Sequence, residues 1–254
     1  MSLSGVCAIA VMAKAPRPGH VKTRLQSVLS PDEAAALGAA FLCDTTANLA
    51  EAARHAPIHG YVAYAPAGQE ARFDGLLASG TRLILADGSD GEAPGVEGFG
   101  RSLLHASRAL LGMGYGAACL LSADSPTLPT ARLVQAAERL LAPGRRAVLG
   151  PAEDGGYWLL GMQAAEPSLY ARIAWSTNGV AAATAARAAE AGLALENLGT
   201  WFDVDDRDSL LRLMQPALAP ALASEAPFAA LATRRCMEGL RLPERLSHPA
   251  LFRA

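Results

Sequence analysis

A short basic loop near the amino terminus is the first stretch of this sequence that could do chemistry. It holds four cations within eleven positions, directly after an apolar run that predicts a buried strand. Ligands of open α/β sheets bind at the carboxyl ends of strands, where such cations can donate charge-assisted hydrogen bonds to a di- or triphosphate. The loop is not a P-loop, in which glycine and lysine are adjacent, and a solvated basic turn is the alternative. We predict a nucleotide and phosphate site at Lys14, Arg17, Gly19, Lys22 and Arg24.

An apolar run that ends abruptly in an acid is the second such stretch. Residues 117–122 predict a buried strand, and Asp124 and a proline-rich turn follow it. A carboxylate at the tip of a central strand, facing the same crevice as the basic loop, is a natural ligand for a Mg²⁺ or Mn²⁺ ion that bridges phosphates. We predict that Asp124 is a metal ligand and a catalytic residue. The alternative is that it caps the turn or the helix that begins near Thr130.

A glycine pair flanked by acids and aromatic residues is the third stretch. Glu153 and Asp154 precede the glycines, and a carboxylate here can act as a base toward a hydroxyl acceptor. Gly155 and Gly156 permit a ligand to approach the backbone closely, and the ring of Tyr157 can stack on a flat or sugar ring. We predict Asp154 as the catalytic base, with Glu153 in reserve, and the other three residues as acceptor-binding. A hairpin turn with core aromatics is the alternative.

A late acidic segment supplies further candidate metal ligands. Alternation along an extended chain puts Asp203 and Asp205 on the same side, so both are predicted to contribute to the metal site. The segment lacks the glycine and the terminal glutamate of a calcium-binding loop. Asp206 stands directly before a leucine-rich turn and is predicted to cap a helix.

Composition excludes several classes of function. The chain has 254 residues and a formal net charge of −2, so it has no global field to attract nucleic acid or an anionic membrane. The apolar run at residues 6–13 is too short to span a bilayer. The four cysteines lie far apart, which is typical of reduced thiols in a cytoplasmic protein. The expected partners are a nucleotide or nucleotide-sugar and a small-molecule acceptor, and formation of a homo-oligomer stays open.

The elements that must position these residues alternate along the chain. Apolar runs rich in β-branched residues predict strands, and alanine- and leucine-rich segments of helical period predict helices between them. This alternation is typical of an α/β fold with a mainly parallel sheet. Ser30, Pro31 and Glu33 form a capping-box signal at the first helix. The predicted strands span residues 6–12, 58–64, 81–86, 117–122, 147–149, 157–160 and 193–198, and the predicted helices span residues 31–54, 100–111, 130–141, 180–191 and 206–214.

The length of the chain suits one large domain. We predict a catalytic domain at residues 1–214 and an accessory helical segment at residues 215–254 that packs on it. Residues 87–98 are dense in glycine, proline and acids, which predicts a long flexible loop.

Four motifs occur in an order that identifies a family resemblance. They are Ala13-Lys14-Ala15-Pro16-Arg17-Pro18-Gly19 with Lys22-Thr23-Arg24-Leu25, then Asp124-Ser125-Pro126, then Gly150-Pro151-Ala152-Glu153-Asp154-Gly155-Gly156-Tyr157, and last Asp203-Val204-Asp205. Together they resemble a bacterial glycosyltransferase-A-like family of nucleotide-diphospho-sugar transferases, over about residues 6–213. The basic loop with Leu29-Ser30-Pro31 also resembles phospholactate guanylyltransferase, a nucleotidyltransferase of the same superfamily.

The resemblance implies a fold, a metal site and one departure. The fold would be a three-layer α/β/α, Rossmann-like arrangement around a mixed, mainly parallel sheet. By resemblance Asp124 and Asp205 hold the metal ion, and the basic loop holds the phosphates and the nucleotide. The relatives carry Gly-Asp-Leu-Gly where this chain has Glu97-Gly98-Phe99-Gly100, so the resemblance does not extend to a ribose or acceptor contact by that aspartate.

Three functions follow as expectations. The first is a metal-dependent glycosyltransferase that uses a nucleoside diphosphate-sugar and a small acceptor, and Glu153 and Asp154 favour it because a hydroxyl acceptor profits from a base. The second is a nucleotidyltransferase that joins a nucleoside triphosphate to a phosphorylated acceptor and releases pyrophosphate, and the basic loop favours it. The third is a non-catalytic nucleotide-binding protein.

Overall fold

A seven-stranded sheet forms the middle of the molecule in the computed structural model, which describes residues 2–215 and 225–247. The strands are β1 (Cys7–Lys14), β2 (Ile58–Ala65), β3 (Arg82–Leu85), β4 (Ala117–Ser122), β5 (Arg146–Pro151), β6 (Tyr157–Met162) and β7 (Ala194–Asn197). Their order is β3-β2-β1-β4-β6-β5-β7, and only β6 is antiparallel to its neighbours. A parallel pair needs a long crossover, whereas the connection between β5 and β6 is a short turn. The predicted mixed, mainly parallel sheet is confirmed.

Helices cover both faces of this sheet. They are α1 (Pro31–Ala52), α2 (Phe99–Gly112), α3 (Thr130–Leu141), α4 (Val180–Glu190), α5 (Arg207–Leu213), α6 (Leu231–Gly239) and α7 (Leu242–Ser247). Alternate residues of β1 face opposite layers: Ile9 and Val11 join the apolar cluster of α1 and α3, and Ala8 and Ala10 join that of α2. The molecule is therefore a three-layer α/β/α structure, as predicted. No helix among residues 2–215 and 225–247 is long and apolar enough to cross a membrane.

The register of the central strands brings the sequence motifs to one edge of the sheet. β1 pairs in parallel with β4, and Met12 lies opposite Ser122. Lys14 ends β1 two residues after Met12, and Asp124 follows Ser122 by the same spacing. The basic loop and the strand-tip acid therefore leave the sheet side by side.

The first helix begins at the predicted capping box. The Ser30 hydroxyl accepts a hydrogen bond from the Glu33 backbone N–H at 3.3 Å, and the Glu33 carboxylate accepts one from the Ser30 N–H at 2.8 Å. Pro31 occupies the first turn, where its missing N–H costs nothing. The capping box therefore sets where α1 begins, shortly after the basic loop in the chain.

A buried acid of α1 binds the start of the first carboxyl-terminal helix. Asp44, on α1, is 4% exposed and accepts hydrogen bonds from the backbone N–H groups of Ala232 at 3.0 Å and Thr233 at 2.7 Å. It thus caps α6 from another element. Met1 and residues 216–224 and 248–254, the last two ranges part of the predicted accessory segment, lie outside the described residues.

Residues 87–98 form a loop, as predicted, and several contacts hold it against α2. Val96 is 1% exposed, and the guanidinium of Arg108 donates a hydrogen bond to the Asp90 carbonyl at 2.7 Å. A Cβ at Gly91 would lie 1.9 Å from the Arg101 carbonyl oxygen, so glycine permits this close approach.

Candidate active site

A cleft of about 700 Å³ opens at the edge of the sheet where the motifs meet. The carboxyl ends of β1 and β4 and the amino end of β6 form its floor, and the basic loop forms one wall. The predicted site residues among its lining are Lys14, Lys22, Arg24, Asp124, Asp154, Gly156, Tyr157, Asp203 and Asp205. All four motifs therefore contribute to one cavity.

The ammonium group of Lys22 lies between two predicted metal ligands. Its Nζ atom is 2.6 Å from Asp124 Oδ1, 2.9 Å from Asp205 Oδ1 and 2.7 Å from the carbonyl oxygen of Val204. These contacts equal in number the three N–H donors of an ammonium group. The side chain is 6% exposed, and Nζ also lies 5.0 Å from the centre of the Phe41 ring. Lys22, predicted to contact phosphate, contacts carboxylates in this arrangement.

Electrostatics keep Lys22 charged. Burial by itself would lower the pKa of the ammonium, but the charges of Asp124 and Asp205 outweigh burial, and the pKa lies above its ordinary value. The Lys22 backbone has φ 48° and ψ 41°, the left-handed region that non-glycine residues rarely adopt, directly before the short 3-10 turn Thr23–Ser27. The sequence therefore places a cation among acids at a strained position of the basic loop.

Two further carboxylates, those of Asp154 and Asp203, lie close to Asp205. Asp154, Asp203 and Asp205 each offer an oxygen atom, and these oxygens lie within 4.8 Å of one another. Burial, and then the charges of Asp154 and Asp205, raise the pKa of Asp203 to about 6. These three carboxylates therefore concentrate negative charge that the single ammonium group of Lys22 does not neutralise.

The chemistry of these donors suits a hard divalent cation. Mg²⁺ and Mn²⁺ prefer carboxylate, carbonyl and water oxygens, and the group supplies several carboxylates with excess negative charge. The sequence predicted Asp124, Asp203 and Asp205 as the ligand set. The structure gathers Asp154 with Asp203 and Asp205, whereas Asp124 contacts Lys22.

The two acids of the glycine-rich motif have different surroundings. The Asp154 carboxylate lines the cleft and accepts a hydrogen bond from the Gly156 backbone N–H at 2.7 Å. Glu153, the reserve base, lies outside the cleft lining and pairs with Arg212 of α5 at 2.5 and 3.1 Å.

The remaining cations of the basic loop divide into two groups. Lys14 and Arg24 line the cleft, and Arg24 Nη1 lies 3.8 Å from Asp205 Oδ2. Arg17 and Gly19 lie outside the lining, and Arg17 Nη2 is 3.2 Å from the Nε2 atom of His20. Phosphate binding by Arg17 and Gly19 stays a prediction.

Gly155 has a structural reason for being glycine. Its φ is 91°, and a Cβ there would lie 1.9 Å from the Asn178 carbonyl oxygen. Gly155 is not among the cleft-lining residues, whereas its neighbours Gly156 and Tyr157 are. The Tyr157 hydroxyl is buried without a hydrogen-bond partner among the described residues, and burial raises its pKa well above the usual range. Contact of these residues with an acceptor stays a prediction.

The sequence alone did not predict an aromatic wall of the cleft. Phe99, the first residue of α2, is 49% exposed, and its ring meets that of Trp175 edge to face at 5.6 Å and 89°. Trp175 and the polar residues after it also line the cleft, up to Asn178. The signal in the sequence is a loop tryptophan followed by three small polar residues, directly before the helix predicted at residues 180–191.

Comparison with known proteins shows which family and which fold the chain resembles. A family described as an uncharacterized protein conserved in bacteria, DUF2064, matches residues 48–177. This range covers half of the chain and includes Asp124, Asp154 and the aromatic wall. The chain matches no curated protein.

Two solved structures share the fold. A protein of Desulfovibrio desulfuricans G20, described as a candidate nucleotide-diphospho-sugar transferase, is 27% identical with a TM-score of 0.74, over 96% of this chain and 98% of that one. A CMP:2-keto-3-deoxy-manno-octonic acid synthetase, solved with CTP, is 10% identical with a TM-score of 0.50, over 82% of this chain and 96% of that one. At 10% identity the second likeness concerns the fold alone.

Proposed function

The chain belongs to the DUF2064 family and has the fold of the nucleotide-diphospho-sugar transferases, and from this premise we propose that it transfers a sugar from a nucleoside diphosphate-sugar to a small, uncharged acceptor. It is an enzyme of the transferase class. The proposal adds the donor, the acceptor and a divalent metal ion. A cytoplasmic location also belongs to the proposal.

The distribution of charge across the cleft carries this proposal. Lys14, Lys22 and Arg24 are the lysines and the arginine of the described lining, and a diphosphate would be bound by them. The segment from Trp175 to Asn178 adds aromatic and uncharged polar side chains to the lining and contains no lysine or arginine. Aromatic faces with nearby hydroxyl and amide groups suit a polyhydroxylated ring. A phosphorylated acceptor would find no compensating cation in that segment.

The mechanism assigns a role to each side of the cleft. The basic loop binds the diphosphate and stabilises the negative charge that it gains when the sugar departs. Asp124, Asp203 and Asp205 would hold a Mg²⁺ or Mn²⁺ ion, which when bound supplies Lewis-acid stabilisation of the same charge. Asp154, oriented by the Gly156 N–H, accepts the proton of the acceptor hydroxyl. Gly156 and Tyr157 line the acceptor side.

Nucleotidyl transfer is the second candidate, because the basic loop resembles that of phospholactate guanylyltransferase. In that reaction an anionic acceptor phosphate attacks the α-phosphate of a nucleoside triphosphate, so no base is needed. The two reactions therefore differ both in product and in their need for Asp154.

Analysis of products with matched variants tests the proposal. We expect a nucleoside diphosphate as product, no pyrophosphate, and a loss of turnover of about a hundredfold on Asp154→Asn. Glu153→Gln is the control, because Glu153 pairs with Arg212 outside the cleft, and its turnover should stay within about threefold of wild type. Pyrophosphate release from a nucleoside triphosphate, with Asp154→Asn nearly as active as wild type, would establish nucleotidyl transfer instead.

A further inference from the structure

The surroundings of the Lys22 ammonium are those of a metal ion. Two carboxylate oxygens and a carbonyl oxygen, from Asp124, Asp205 and Val204, lie 2.6 to 2.9 Å from Nζ. Carboxylate and carbonyl oxygens are also the protein ligands of Mg²⁺ and Mn²⁺. The ammonium thus occupies the space between two acids to which the proposed function assigns a divalent ion.

We propose that Lys22 is a built-in counter-cation that a divalent metal ion displaces. In the metal-free protein its ammonium holds Asp124 and Asp205 together. When a metal ion binds these carboxylates, the ammonium leaves them and becomes free to contact the diphosphate. The inference rests on the metal site of the proposed function, and it makes Lys22 a positioning residue before metal binds and a phosphate ligand afterwards.

The balance of charge favours such an exchange. Asp124, Asp154, Asp203 and Asp205 all line the cleft, and Lys22 brings one positive charge into contact with two of them. A divalent ion brings two charges and can accept more oxygen ligands than three N–H donors can serve. Mutual repulsion of the acids therefore favours the ion over the ammonium.

The backbone of the loop is also suited to the exchange. Lys22 adopts a left-handed conformation that costs a non-glycine residue energy. His20 and Thr23 of the same loop are exposed. Exposed loop residues can move without disturbing the core. Loss of the carboxylate contacts would free the Lys22 ammonium to meet a diphosphate in the cleft that it already lines.

Exchange makes metal and diphosphate binding cooperative. Without metal, all the Lys22 donors are directed at acids and oxygens of the protein. With metal, the same ammonium adds to Lys14 and Arg24 at the phosphate side. The metal should therefore strengthen diphosphate binding through Lys22 as well as by direct contact.

Chemical labelling of the wild-type protein tests the exchange, because Lys14 and Lys22 are the two lysines of the chain. Acetic anhydride is applied briefly at mildly alkaline pH, with and without Mn²⁺, and acetylation is measured at each lysine by mass spectrometry. Lys14 is exposed and serves as the internal control. We expect Mn²⁺ to raise acetylation of Lys22 by about tenfold or more and that of Lys14 by less than about twofold. Loss of the free Mn²⁺ signal in electron paramagnetic resonance reports binding separately.

The outcomes separate this inference from the proposed function. If Mn²⁺ binds and Lys22 stays protected from acetylation, the ammonium remains on the carboxylates. That result would overturn the exchange but not the metal site. Absence of Mn²⁺ binding would overturn the metal site and the exchange with it. Sugar transfer with nucleoside diphosphate as product is judged by the product analysis, independently of labelling.

A pair of variants gives a second measurement. Lys22→Met should bind Mn²⁺ about tenfold tighter than wild type, because the metal no longer competes with an ammonium. Lys14→Met removes the same charge from the same loop without removing a contact to the acids. It therefore measures how much of the change in Mn²⁺ affinity comes only from losing a positive charge near the cleft. Equal Mn²⁺ affinity of the two variants would contradict the exchange.

Discussion

Asp124 and Asp203 are two acids of one cleft that differ in their partners, although burial raises the pKa of both carboxyl groups above the ordinary value. Asp124 is paired with a buried ammonium at 2.6 Å. The pKa of Asp203 is raised to about 6 by burial and by its acidic neighbours, which shows that its charged form is disfavoured in the folded protein. From the sequence alone both were predicted as metal ligands, and the contact of Lys22 with Asp124 is what distinguishes them in the structure.

The stability of the metal-free protein should reveal this difference. We expect Asp124→Asn to lower the free energy of unfolding by about 1–3 kcal/mol, because the Lys22 ammonium loses a charged partner. Asp203→Asn should leave it unchanged or raise it at neutral pH, because a repelled charge is removed. Urea unfolding in the presence of a chelator measures both variants, and the reverse order would contradict the assigned contacts.

Metal affinity should depend on pH through Asp203. Its folded-state pKa of about 6 exceeds its ordinary value, so the metal-free fold gains stability as pH falls through about 6, because the folded state takes up a proton that the unfolded state does not. A metal ion must displace that proton, so Mn²⁺ affinity should rise between about pH 5 and 7, by at most about tenfold per unit for one proton. Calorimetry at several pH values measures the slope. Asp203→Asn should flatten it, and an equal slope in that variant would assign the proton to another group.

At the scale of elements, Asp44 shows a helix cap supplied from a distance. Asp44 of α1 accepts hydrogen bonds from two backbone N–H groups at the start of α6. We expect Asp44→Ala to lower the free energy of unfolding by about 1–2 kcal/mol. Hydrogen exchange should increase mainly in α6 and α7, since the contact joins those helices to α1. Asp74→Ala, at an exposed position, is the control and should change stability by less than about 0.5 kcal/mol. Equal exchange in both variants would contradict the capping role.

The elements could be predicted because their signals are local. Apolar runs predicted the strands, and Ser30 with Glu33 predicted the start of α1, because a capping box lies within four residues. The cleft could be predicted in outline, since parallel strands must end at one edge. The contacts of Lys22 with Asp205 and of Glu153 with Arg212 could not, because they join distant residues whose approach depends on the complete fold. The aromatic wall was missed because Trp175 lies in a loop without periodicity.

At the scale of the whole molecule, charge is local and asymmetric. The formal net charge is −2, so long-range attraction contributes little. The lysines and the arginine of the described cleft lining come from the basic loop, four aspartates add negative charge, and the segment from Trp175 to Asn178 is uncharged. Donor and acceptor should therefore respond differently to salt, although they bind in one cavity.

Salt dependence then distinguishes a neutral from an anionic acceptor. The Arg24 side chain is 63% exposed, so its attraction to a diphosphate is screened when the Debye length falls from about 10 Å at about 0.1 M salt. Raising the salt concentration to about 0.5 M should raise the KM for the nucleoside diphosphate-sugar severalfold, whereas the KM for an uncharged acceptor should stay within about twofold. The measurement uses initial rates with one substrate saturating at a time. Potassium chloride and potassium acetate are compared, so that specific binding of chloride is recognised by a difference between them. If the KM for the acceptor rises as steeply as that for the donor, the acceptor is itself anionic and held by the basic loop, which would contradict the proposed uncharged acceptor.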